Sequence, residues 1–229
     1  MKAMQLLAHG APGQLKYVDV PEPVAQSGEV VVQVRACGLN RLDLWVEEGA
    51  LPIAISLPRI PGCEVAGEVF ELGEQVAAWK PGDRVALQSN LFCGRCPFCL
   101  RGEESLCLRG RLLGVQMDGG FAQKVVVPEG ALVRLPDNVS FDAAAALTLA
   151  ASTAMHMLAH RASVRAGQWV LVIAAASGVG SAAIQIAKAM GAHVISPVIH
   201  RAYPLSQTAE AFRALRQRQV LGKAIIKPD

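Results

Sequence analysis

The sequence predicts a mixed α and β protein, with a β-rich, barrel-like first part followed by a βα unit. Three observations carry that prediction. Up to about residue 135, short β-branched runs alternate with Gly/Pro turns. From Phe141 the texture becomes Ala-rich and helical. Gln168–Ile173 is then an apolar run that meets a Gly-containing turn and a helical pattern. At 229 residues, 52% hydrophobic and 18% charged, the chain has the apolar content to bury a core and is not disordered. Its length allows one large domain or two small ones.

Each element follows from local chemistry. Val30–Val34 is strongly β-branched, and Glu64–Leu72 is a mixed run bounded by Gly62 and Gly73. Asp83–Leu87 follows the Pro81-Gly82 turn, and Val125–Val127 ends at Pro128. Asp142 is positioned to cap a helix running through the Ala-rich stretch towards Leu158. Gln168–Ile173 reads as a buried strand, with a helix from Ser181 to Met190 after it. Gly191 is a natural helix stop, and Ala192–Ile195 begins another strand. After Ser196-Pro197 come a strand over Val198–Tyr203, a helix from Ser206 to about Gln219, and a final strand at Ala224–Ile226.

Charge and targeting exclude several roles. Lys+Arg number 22 against Asp+Glu 19, a net +3 with no basic stripe expected of a nucleic-acid binder. The excess sits beyond His200, in Arg201, Arg213, Arg216, Arg218, Lys223 and Lys227 against Glu210 and Asp229. That tail reads either as a surface for an acidic partner or as a solvated helix face with Arg near its C-terminus. Met1–Gly10 lacks the pattern of a signal peptide. Ala143–His160 and Ala166–Ala187 are uncharged, but the first is weakly apolar and the second is broken by Ser177, Gly178 and Gly180. A cytoplasmic protein with no membrane span is expected.

The sharpest motif is Cys93-x2-Cys96-x2-Cys99-x7-Cys107. Four thiols in one short loop suit a tetrahedral Zn²⁺ ion, one per chain, and leave no open position for water, so such a site is structural. Without a secretory signal, disulfides are disfavoured, and the usual ferredoxin context of an iron–sulfur cluster is missing. Cys37 and Cys63 are isolated and read as small core residues.

The Cys93–Cys107 lobe resembles the structural-zinc loop of zinc-containing alcohol dehydrogenases, in the medium-chain dehydrogenase/reductase superfamily. Pro61-Gly62-Cys63-Glu64-Val65-Ala66-Gly67, Lys80–Val85, Gly119–Ala122, Asp142–Ala146, Ala174–Gly180 and Gln185–Ala192 agree with it in order. The resemblance implies a GroES-like β-barrel catalytic domain over 1–140 and 197–229, carrying the zinc lobe at 93–107. It implies a connecting helix and a remnant of the Rossmann domain over 141–196. A whole Rossmann fold needs about six parallel strands, whereas Gln168–Ser196 supplies one strand, one helix and the start of a second strand. Most of the cofactor domain is missing on this reading, with Ser196-Pro197 as the seam.

The resemblance also bears on the reaction. Ser177, Gly178, Val179 and Gly180 form the strand-to-helix turn that would offer N–H groups to the pyrophosphate of NAD(P). A packed βα hairpin explains the same residues, and Met190–Ser206 contains no acid to read the adenosine ribose. NAD(P) is therefore expected to bind weakly. The family's catalytic-zinc ligands fall on Asn40, Cys63 and, less certainly aligned, Leu149, of which only Cys63 is a good ligand. Asn40 is similar instead to the metal-free quinone oxidoreductase branch, which reduces a quinone or activated C=C by direct hydride transfer. There Asn40 would orient the nicotinamide ribose or the substrate, Thr153 would lie near the nicotinamide, and Glu64 would be structural. A turn former and an N–H partner account for Asn40 and Thr153 equally well.

His156 and His160 share a predicted helix face, in metal-capable i, i+4 spacing without an adjacent acid. The partners implied are a small-molecule substrate if the chain is active, and a homo-oligomer or strand-swapped dimer formed through the unpaired strand edge. A non-catalytic, zinc-stabilised binding or assembly module is the alternative.

Overall fold

The computed structural model describes residues 1–10, 12–196, 199–217, 219 and 223–227. In chain order the first unit, Met1–Leu149, contains β1 (Lys2–Leu6), β2 (Leu15–Asp19), β3 (Glu29–Gly38), α1 (Arg41–Glu48), β4 (Glu64–Leu72), β5 (Arg84–Leu87), β6 (Asn90–Leu91), β7 (Arg111–Leu112), β8 (Lys124–Pro128), β9 (Leu132–Arg134) and α2 (Phe141–Ala145). Its main sheet runs β8-β3-β4-β5-β9, every pair antiparallel. β1 pairs with β2, and bridges at Ala3–Ala122 and Leu6–Arg59 tie β1 to the loops beside the sheet. The β-branched run of the sequence becomes β3, whose Val30 and Val32 meet Val65 and Val69 of β4 and Val125 and Val127 of β8 in the main core. The opposite face of β4 packs Ala66 against Ala144 and Ala145 of α2. The GroES-like architecture expected for the first part is thus present, but its sheets are left open where a barrel was expected.

Two features correct the sequence expectations. α1 lies where the sequence suggested only a turn; it ends at Gly49, whose φ of 72° is the left-handed stop that glycine adopts without strain. The Ala-rich helix is not continuous. Ser140, not Asp142, caps α2, its hydroxyl oxygen accepting the Ala143 N–H at 3.2 Å. The chain then turns through 146–149 before α3 (Ala150–Met155), and a π-helical turn follows at His156–Arg161. The physical reason for the break is visible: the Leu149 N–H donates to the buried Glu64 carboxylate at 2.7 Å instead of to a helical carbonyl.

The second unit, Ala150–Asp229, holds α3, β10 (Trp169–Leu171), α4 (Gly178–Ala189), β11 (His193–Ile195), β12 (Ile199–Pro204), α5 (Thr208–Arg216) and β13 (Lys223–Lys227). β10 and β11 pair in parallel across α4, the arrangement a βαβ unit requires. Small residues let α3 and α4 close on these strands: Ala154, Ala182, Ala183, Ala187 and Ala192 pack with Leu158 and Val172. β12 and β13 form a separate parallel pair. Trp169, Leu171, Ile173 and Ile195 remain at least 48% exposed, so part of the apolar surface of this unit is uncovered among the described residues. The strands expected at Val198–Tyr203 and Ala224–Ile226 correspond to β12 and β13; residues 197, 198, 218, 220–222, 228 and 229 lie outside the described set.

Candidate functional site

The thiol lobe is delivered by β6 and returned by β7, which pair through Asn90–Leu112 and Leu91–Arg111. Between them the backbone forms two short 3₁₀ turns, Cys99–Arg101 and Glu104–Leu106. This places the four Sγ atoms within 4.8 Å of one another. Cys96 and Cys99 sulfurs are 3.5 Å apart, Cys93 and Cys99 4.0 Å, Cys96 and Cys107 4.0 Å. A tetrahedron of zinc–sulfur bonds of about 2.3 Å has an edge of roughly 3.8 Å, so the donor set fits one zinc ion. Backbone N–H groups favour the thiolate at Cys96, while burial and the neighbouring thiols push Cys99 up to about 12 when no cation is present. The Cys93 N–H donates to the Cys107 sulfur at 3.3 Å. Amide N–H groups of Cys99, Leu108 and Phe98 aimed at Cys96 hold its thiol down to about 6. Among the described residues, no other group of three or more His, Cys, Asp or Glu side chains converges in this way.

A second constellation forms where α1 starts. Asn40 is the residue before α1, and its backbone N–H donates to the Asp43 carboxylate at 2.7 Å. Its side-chain Nδ2 donates to Glu64 Oε2 at 2.9 Å and lies 3.8 Å from the Cys63 sulfur. Glu64 Oε1 accepts the Leu149 N–H, so Asn40, Cys63, Glu64 and Leu149 meet at one point. Cys63 is 1% exposed and Glu64 3%. Space is tight: a Cβ on Gly38 would come within 2.5 Å of the Ala145 carbonyl and 2.7 Å of Glu64 Oε2.

Electrostatics decide what this second site can hold. Burial, reinforced by the Asp43 and Glu64 carboxylates, pushes the Cys63 thiol up, and burial pushes Cys37 up to about 12. Both stay protonated near neutrality, whereas sulfur ligates as the thiolate. Burial also raises the Asp43 carboxyl, against the opposing N–H groups of Asn40 and Gly62. Leu149 brings no side-chain donor. The residues here do not fit a catalytic zinc ion, which takes three protein ligands and a water. Asp43 was missed in the sequence; the signal was the Asn40-x-x-Asp43 spacing, a carboxylate three residues into a helix reaching back to its start.

The turn before α4 is a built helix start. The Ser177 hydroxyl accepts the Gly180 N–H at 2.9 Å and donates to the Ala174 carbonyl at 2.8 Å. Gly180 is required by packing, since a Cβ there would collide with the Ala174 carbonyl. The N–H groups of Gly178 and Val179 have no intrahelical acceptor by helix geometry and point the helix dipole outward. They suit a single phosphate group. β10, α4 and β11 carry no acidic residue to hydrogen-bond a ribose, so this turn offers phosphate contacts alone. Thr153 is half-buried on α3 in the same unit. The rings of His156 and His160 lie 5.4 Å apart in an edge-to-face arrangement within the π-helical turn, with no third ligand joining them among the described residues.

Comparison with known proteins places these features together. Residues 26–137 match the alcohol dehydrogenase GroES-like domain, and residues 113–226 match the zinc-binding dehydrogenase family. A protein of Geobacillus stearothermophilus named alcohol dehydrogenase is 38% identical over 197 residues, covering 86% of this chain and 57% of that protein. A protein of Metallosphaera sedula named acryloyl-coenzyme A reductase is 36% identical over 195 residues, covering 85% and 58% respectively. The cobalt- and zinc-bound thermostable alcohol dehydrogenase of Pyrobaculum aerophilum superposes with a TM-score of 0.80 at 32% identity, over 99% of this chain and 65% of that one. The chain therefore spans a little over half the length of the curated relatives it matches. No helix among the described residues is long and apolar enough to cross a membrane.

Proposed function

The chain belongs to the zinc-containing alcohol dehydrogenase group of the medium-chain dehydrogenase/reductase superfamily, and we propose that it is a zinc-stapled oxidoreductase of that group with a weakened hold on its cofactor. The family reaction is NAD(P)-linked hydride transfer to a carbonyl, enone or quinone, the nicotinamide supplying the hydride when it is bound. The observation that carries the reading is the contrast between two sites. The thiol cluster has the geometry of a complete structural-zinc site, whereas among the described residues the sheet beside the nucleotide turn consists of β10 and β11.

On this reading Cys93, Cys96, Cys99 and Cys107 hold one structural zinc, and Ser177, Gly178, Val179 and Gly180 cradle a phosphate. The reaction is of the metal-free quinone or enone type: Asn40 orients substrate or ribose through Nδ2, anchored by Glu64, Cys63 is a buried thiol, and Thr153 has its place near the nicotinamide. Residues 1–140 and 197–229 form the catalytic domain, 141–196 the remnant of the cofactor domain, and Ser196-Pro197 the seam between them. The substrate is a small molecule, the setting is the reducing cytoplasm, and neither nucleic acid nor membrane is a partner. Exposed Leu171 and Ile173 support association of two copies.

Titration of the zinc-loaded chain with NADH and NADPH, followed by protein fluorescence, tests the reading together with turnover of a quinone, an enone and a small aldehyde. Millimolar binding with slow reduction of the quinone or enone is expected. Micromolar binding would overturn the weakened hold. Absence of binding at millimolar cofactor would favour the second reading, a zinc-stabilised binding or assembly module; the sealed, ligand-poor Asn40–Cys63–Glu64 cluster is the observation on its side.

A further inference from the structure

The thiol lobe carries a feature that neither zinc binding nor the Asn40–Glu64 cluster uses. Arg95, Arg109 and Arg111 line one depression of about 490 Å³ together with Leu91, Phe92, Cys93 and Pro128. No acidic residue lines it. All three arginines are exposed, and none makes an ion pair or side-chain hydrogen bond among the described residues. The other arginine of the lobe behaves differently, since Arg101 is neutralised by Glu103 at 2.9 Å. Part of the positive charge has an evident use: four thiolates around one divalent ion leave two negative charges, and Cys93 lies at the edge of the depression. Three guanidinium groups exceed that charge and extend into solvent.

We propose that Arg95, Arg109 and Arg111 form a binding site for a phosphate-bearing small molecule beside the zinc lobe. A guanidinium presents paired N–H donors that match phosphate oxygens, and it is less strongly hydrated than an ammonium group. The exposed Phe92 ring, 37% accessible, with Pro128 gives an apolar platform for the organic part of such a ligand. The volume falls within the range of small-molecule pockets. The arginines belong to the unit Met1–Leu149 and the turn at Ser177–Gly180 to the unit Ala150–Asp229, and the proposal does not depend on cofactor binding at that turn.

Calorimetric titration of the zinc-loaded full chain with inorganic pyrophosphate at low ionic strength tests the assignment. One-to-one binding is expected, weakening severalfold as salt rises and charges are screened. Arg111→Gln, on β7 and furthest in sequence from the thiols, should weaken it about tenfold with one zinc per chain retained. The triple variant Arg95→Gln/Arg109→Gln/Arg111→Gln should leave no more than the weak, millimolar binding expected of the α4 turn. Pyrophosphate binding that keeps its full affinity in the triple variant places the anion elsewhere and overturns the proposal. So does the absence of binding by the unaltered chain at millimolar pyrophosphate, or binding of a poly-glutamate peptide in its place.

Discussion

Removing one sulfur from the thiol cluster should release the lobe while leaving the barrel standing. Cys96 is the informative position, because it is the buried member of the four and its sulfur lies 3.5 Å from Cys99 and 4.0 Å from Cys107. A structural zinc contributes on the order of 10–16 kcal/mol, or about 3 kcal/mol per thiolate when spread over four. Cys96→Ser should therefore weaken zinc binding by roughly two orders of magnitude. Little else holds the loop: its turns are single 3₁₀ turns, and Leu100, Leu106 and Leu108 are more than half exposed. The main core draws instead on Val30, Val65, Leu87 and Val127, with Leu91 and Leu113 at the feet of the lobe. Limited trypsin digestion reads this directly, because Arg95, Arg101, Arg109 and Arg111 are accessible. Chelator, or Cys96→Ser, should accelerate cleavage at these arginines at least tenfold and leave a resistant barrel. Equal cleavage rates with and without zinc would refute the view that the ion holds the lobe.

Three further outcomes follow from the structure. Glu64→Ala strips the acceptor from Asn40 Nδ2 and the Leu149 N–H, and should cost about 3 kcal/mol, read as a lower urea midpoint at unchanged slope; an unchanged midpoint would show that water replaces the carboxylate. Asp43 has a folded-state value raised above the usual 3.8 by burial. The native state therefore holds its proton more tightly than the unfolded state, and stability from this group is present at low pH and lost as pH rises through the raised value. Relative to Asp43→Asn, the unaltered chain should lose stability as pH rises above the usual carboxyl value of 3.8; urea midpoints for the two that run parallel with pH would contradict the burial argument. Finally, Leu171→Lys/Ile173→Lys should reduce self-association measured by light scattering, since both side chains are more than 60% exposed; a monomeric parent chain would remove the basis for that expectation.

Much of this protein was legible from its residues alone. The convergence of the four thiols was, because all four cysteines lie within one short loop and their meeting needs no distant partner. β4 coincided with the run Glu64–Leu72 for a similar reason: Gly62 and Gly73 mark its ends locally. The turn at Ala174–Gly180 followed from apolar strand, small residues and helix in immediate succession. The catalytic-type cluster was different. Asn40 and Glu64 are 24 residues apart and Glu64 and Leu149 are 85 apart, and only folding brings them into contact. That contact decided where the Ala-rich helix breaks, made Glu64 an anchor for Asn40, and left Cys63 a protonated thiol. Local pattern specifies loops that bind with their own residues; a buried carboxylate that orders three distant segments exists only once the sheet has formed.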